Sequence, residues 1–157
     1  MTVFDASDVE RWRRSPAAFI EEELHDPETS EPFKLNRAER RFLRKAFTLS
    51  QDGRLKYPEL LYSAPKKSGK TAYGAMLVLY VVLVLGGPYA EGYCVANDLE
   101  QAQGRVFQAI KRIIKASPLL RDRANVTASK IEFPETGEDE LTVIRYPFVF
   151  RKAGGGK

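Results

Sequence analysis

The stretch Tyr62-Ser63-Ala64-Pro65-Lys66-Lys67-Ser68-Gly69-Lys70-Thr71 has the residue types, in the right order, for holding a phosphate. Gly69 lets the backbone approach an anion closely. The amides of a helix that begins just after it point at the anion with the helix dipole behind them. At this spacing Lys70 reaches β- and γ-phosphates and the Thr71 hydroxyl holds Mg²⁺, so the implied ligand is ATP with Mg²⁺. The glycine usual five positions before Gly69 is Ala64 here, which makes the loop a variant of the motif. A Gly-Lys-Thr triplet also arises by chance, with lysines that are merely solvated. What separates the two readings is a strand before the loop and a helix after it.

Both flanks predict that context. Tyr57-Pro58, after a turn at Ser50-Gln51-Asp52-Gly53-Arg54, leads into an expected strand Glu59 to Ser63. From Ala72 an apolar run begins; its core, Met76 to Leu85, stops at Gly86-Gly87-Pro88. Counted from Ala72 it still falls short of the ~20 residues of a membrane span, and being apolar on every face it reads as a buried helix. Glu91 to Ala96 then reads as a second strand. Strand, helix and strand predict a βαβ unit whose strands are parallel neighbours with a right-handed crossover. Cys94 in that second strand is expected to be a buried thiol.

Asn97-Asp98 is expected to cap a third long helix, with Leu99, Ala102, Val106, Ile110, Ile113 and Ile114 along one stripe, interrupted at Ser117-Pro118. Short β-prone runs come after it at Val126-Thr127, Lys130 to Phe133 and Leu141 to Ile144, with a turn from Pro134 to Gly137.

Ahead of the loop, Ser7-Asp8-Val9-Glu10 reads as a capping box for a helix through Arg14, in which Arg11, Arg13 and Arg14 surround Trp12. Ser15-Pro16 suits the start of a second helix with Phe19, Ile20 and Leu24 on one stripe and an end near Asp26-Pro27. After the polar linker Asp26 to Glu31 and the segment Pro32-Phe33-Lys34-Leu35, Asn36 with Glu39 three residues on predicts another capped helix. It carries Phe42, Leu43, Ala46 and Phe47 on one side. Arg37, Arg40, Arg41, Arg44 and Lys45 form a basic face on the other, either solvated or turned to phosphates.

With 157 residues, 43% hydrophobic and 29% charged, the chain can bury a core and is not of disordered composition. One cysteine leaves no internal disulfide and no cysteine-based zinc site; one histidine, His25, gives metal or triad chemistry almost no material. The net charge of +4 is compatible with nucleic acid. No basic-then-apolar leader follows Met1, so a cytoplasmic protein is expected.

In order and spacing these stretches resemble the ATPase domain of phage terminase large subunits, the motors of viral DNA packaging. Trp12 to Leu24 is similar to the family's N-terminal helices, and Pro32 to Leu35 with Phe42-Leu43 to its adenine segment. Ala64 to Thr71 is similar to its phosphate loop. Val95-Ala96-Asn97-Asp98-Leu99-Glu100-Gln101-Ala102 is similar to the strand and helix start that come next in these proteins, and Ser129 to Phe133 continues the match. The resemblance covers about residues 10 to 137. It implies an α/β fold: a P-loop NTPase-like parallel sheet flanked by helices, left incomplete here. An N-terminal helical segment spans 1–31, a partial ATPase-like core 32–137, and a divergent or truncated tail 138–157.

By that resemblance Lys70, Thr71, Ser68 and Gly69 carry phosphate and Mg²⁺, and Lys66 or Lys67 approaches the γ-phosphate. Phe33 and Glu39 stand where the base is held, although the family usually has glutamine near position 39 and a capping box explains Glu39 by itself. The implied partners are double-stranded DNA through the complete motor, a terminase small subunit and a portal protein, in the host cytoplasm, with homo-oligomers among the expected assemblies. One element is absent from the sequence. A P-loop motor needs an apolar strand ending in Asp, often Asp-Glu, whereas Leu141 to Ile144 ends in Arg145 and Val149-Phe150 in Arg151. The nuclease domain of such motors is missing as well. Nucleotide binding without rapid hydrolysis is therefore expected. Two readings stand beside it: another P-loop NTPase such as a helicase, and a non-catalytic nucleic-acid or capsid-assembly module.

Overall fold

The computed structural model describes residues 4–86, 89–95, 103–134 and 141–145. The expected cap at Asn97-Asp98, the stripe members Leu99 and Ala102, most of the turn after Pro134 and most of the tail lie outside them.

Helix α1 (Ala6–Arg14) is capped by Asp5, whose carboxylate accepts from the Ser7 amide at 2.8 Å, two residues before the expected cap. Helix α2 (Pro16–Glu23) begins with proline at its first position, where the missing N–H costs nothing. It ends sooner than Asp26-Pro27. The Phe33 amide donates to the Leu24 carbonyl (3.0 Å) and Asp26 to Glu31 (2.8 Å), drawing the linker back on itself in extended form. Helix α3 (Arg37–Ala46) has the reciprocal capping box that its sequence predicts: Asn36 Oδ1 accepts from the Glu39 amide and Glu39 Oε2 from the Asn36 amide, both at 2.9 Å.

Helix α4 (Lys70–Tyr80) runs on as a π-helical turn (Val81–Leu85) and buries Tyr73, Ala75, Met76, Leu79, Tyr80, Val82 and Val84. A second π-helical turn (Gln103–Phe107) enters α5 (Gln108–Ala116), and α6 (Pro118–Arg121) succeeds the Ser117-Pro118 break. Ile110, Ile113 and Ile114 line the buried stripe of α5, which packs on α4.

A chain of aromatic rings ties the N-terminal helices to α4. Phe4 lies 5.0 Å from Trp12, Trp12 5.4 Å from Phe19, Phe19 5.9 Å from Tyr80 and Tyr80 5.0 Å from Phe47. The Tyr80 hydroxyl donates to the Trp12 carbonyl (3.2 Å) and Arg13 Nε to the Val84 carbonyl (3.1 Å). The arginines around Trp12 are occupied within the chain: Arg11 holds Glu22 and Asp8, and Arg14 holds Glu10.

The sheet is small and mixed. Its strands are β1 (Glu91–Tyr93), β2 (Asn125–Val126), β3 (Lys130–Pro134) and β4 (Leu141–Arg145), in the order β1-β4-β3-β2. Only β1 and β4 are parallel, with Glu91 opposite Val143; β4–β3 and β3–β2 are antiparallel.

Two expectations are corrected here. Glu59 to Ser63 is irregular backbone, not a strand, and β1 pairs with β4 instead of with it, so the expected βαβ pair does not form. A strand exists only through its ladder. Between Pro58 and Pro65 this run has no pairing partner among the described residues, and Leu61 is left 89% exposed.

Candidate phosphate-binding site

The helix after the loop begins where its sequence places it. Lys70 is the first residue of α4, and its N-cap, Gly69, is left-handed at φ 79, ψ 12, a conformation that suits glycine. No side chain caps this end. The first intrahelical bond there runs from the Tyr73 amide to the Gly69 carbonyl (3.0 Å), so the amides of Lys70, Thr71 and Ala72 lie ahead of the helical ladder. These are the groups, at the positive end of the helix dipole, that an anion can occupy. Lys67 is also left-handed (φ 61), which costs a residue with a Cβ about 1–3 kcal/mol and is the kind of strain found at ligand clamps.

The Lys70 ammonium folds back over the loop and donates to the carbonyls of Ala64 (2.6 Å) and Pro65 (2.8 Å). Two of its three protons hold the loop closed, and one remains for an incoming oxygen. Around it Lys66, Lys67, Ser68 and Thr71 are exposed, and neither lysine has an ion-pair partner among the described residues. A phosphate therefore fits this end of α4. For Mg²⁺ the fit is thinner: Thr71 offers one oxygen, and among the described residues no group of three His, Cys, Asp or Glu side chains could hold a metal ion.

Three rings hold the loop against α3 in the absence of a strand. Tyr62 lies 4.8 Å from Tyr73 and 5.0 Å from Phe42. The Tyr73 hydroxyl donates to the Glu39 carbonyl at 3.0 Å, joining the first turns of α3 and α4. Burial first, then the nearby Glu39 carboxylate, pushes the Tyr73 phenol well above the usual tyrosine range, so it stays a donor. No local sequence signal marks Tyr62 and Tyr73 for this role.

Glu39 thus stands beside the loop helix, but its carboxylate caps α3. Phe33 is half-buried against the core, its backbone bonded to Leu24. Glu21, which the sequence does not single out, fixes that segment to α2 by accepting from the Leu35 amide (2.9 Å) and from Arg40 (2.5 Å). Cys94 is buried as expected, and burial raises its thiol pKa to about 11.

No helix of the described residues is long and apolar enough to cross a membrane. No protein-family model, curated protein or solved structure matches this chain.

Proposed function

We propose that this chain binds ATP with Mg²⁺ through Ala64 to Thr71 and forms the nucleotide-binding part of a DNA-packaging motor of the terminase large-subunit type. In the complete motor, hydrolysis would drive double-stranded DNA, with small-subunit and portal partners and a parallel P-loop sheet completed by further strands. The observation that carries the nucleotide reading is the open N-terminus of α4, with left-handed Gly69 before it and the Lys70 ammonium closing the loop above it. That constellation supplies backbone donors, a dipole and a cation at one point, which is what a phosphate chain needs. The motor reading rests on the sequence resemblance. In this role Lys66 and Lys67 add positive charge at the loop mouth, Ser68 and Gly69 lend backbone donors, Thr71 lends its hydroxyl to the metal, and Phe33 and Glu39 flank the base.

Binding, without fast turnover, is the activity proposed for the chain itself, since β4 ends in Arg145 where a hydrolytic motor requires an acid. The test is calorimetric titration of MgATP. Wild-type protein should bind, and Lys70→Ala should lose at least roughly tenfold in affinity, the loss of a charge-assisted bond. Equal binding by Lys70→Ala, in a variant that melts like wild type, would refute the reading.

A further inference from the structure

The basic face of α3 does not face open solvent alone. It forms one wall of an open cleft of about 1270 Å³, whose other wall is the irregular segment from Tyr57 to Ser63. Arg37, Arg41, Arg44 and Lys45 line it and have no ion-pair partner among the described residues; Arg40 at its edge is held by Glu21. Arg37, Arg41 and the adjacent pair Arg44 and Lys45 follow at helical spacing, so the cations climb the wall in three levels about one turn, roughly 5–6 Å, apart. Opposite them stand the apolar Leu60 and Tyr57, whose ring has the Lys56 ammonium 5.8 Å from its centroid. Glu59 is the one carboxylate among the lining residues.

We propose that this cleft binds a single strand of nucleic acid, with its phosphates along α3 and a base stacked on Tyr57. Charge complementarity selects a polyanion, and the groove form with an aromatic wall selects a flexible strand. Cations tracking a backbone beside aromatic faces are how unpaired strands are held without sequence preference. A duplex hides its base faces in its own stack and offers none to Tyr57. The site is separate from the phosphate loop and does not rest on the nucleotide reading.

The test is fluorescence anisotropy with short labelled oligothymidylate, oligouridylate and a duplex of equal length. With four phosphates neutralised, the log–log salt slope should be about −2.8, so affinity falls about 50-fold from 50 to 200 mM salt. Arg41→Ala/Arg44→Ala should halve that slope. Tyr57→Leu should cost about 5- to 150-fold, the worth of one stacked base, and Tyr57→Phe should restore it. Arg112→Ala/Lys115→Ala, on exposed α5 positions, should leave binding unchanged. The two oligonucleotides should agree within about threefold if the 2′-hydroxyl is not read. Duplex binding as tight as the single strand, displacement by polyglutamate at equal charge, or Tyr57→Leu without effect would each overturn the proposal. Retained MgATP binding by Arg41→Ala/Arg44→Ala keeps this outcome distinct from that of the phosphate loop.

Discussion

Replacing Gly69 with alanine measures the backbone cost of the loop directly. Gly69 has φ 79, and a Cβ built there meets nothing within 4 Å, so no clash enters the cost. What remains is the left-handed conformation, about 1–2 kcal/mol for a residue with a side chain. In a domain of this size each kcal/mol lowers the melting temperature by about 2–4 °C, so a fall of roughly 2–8 °C is expected. Two other glycines are internal controls with equally open surroundings. Gly53, in the turn before the cleft, has φ 77 and should lose as much stability on change to alanine. Gly74 lies inside α4 in helical backbone, and Gly74→Ala should gain about 0.4–1 kcal/mol by restricting the unfolded chain. Thermal and urea melts of the three variants, with unchanged urea slope, provide the comparison. MgATP titration adds a second readout, which only Gly69→Ala should weaken by more than its stability loss explains. If Gly69→Ala melts like wild type, or if it and Gly74→Ala shift in the same direction, the left-handed turn into α4 is wrong.

Glu21→Ala should cost about 1–3 kcal/mol in urea unfolding, mainly by stranding the Leu35 amide. Glu21→Gln, which keeps an acceptor, should recover part of it. Tyr80→Phe should cost about 0.5–1.5 kcal/mol, because the hydroxyl that meets the Trp12 carbonyl is buried; a neutral result would mean water reaches that carbonyl. Burial raises the Cys94 pKa from 9.0 to about 11, so the folded state prefers the neutral thiol. The stability this gives is full below pH 9 and is lost as the pH rises through 11, where Cys94→Ala should show a flatter profile. In the same window a thiol reagent should react slowly with native protein and fast in urea.

Most helices and several of their starts were legible in the sequence because their signals are local, although α1 is capped by Asp5 and not Ser7. Asn36 with Glu39, Ser15-Pro16, the break at Ser117-Pro118 and the Gly69–Lys70 junction each act within a few residues, through a cap, a missing N–H or a backbone torsion. The backbone that frames the candidate site, left-handed Gly69 and the helix start at Lys70, was legible to the same extent, since adjacent residues set both. Strand pairing was not legible. Glu59 to Ser63 has β-prone residues, but a ladder needs a neighbour, and the tertiary structure gives β1 to β4 and leaves that run irregular. Nor could sequence alone give what replaces the strand. The Phe42, Tyr62 and Tyr73 rings and the Tyr73–Glu39 bond join residues from three separate stretches, brought together only when α3 and α4 pack. The same packing turns the arginines of α3 from a solvated-looking stripe into the wall of a cleft, since a groove needs two sides and the sequence of α3 specifies only one.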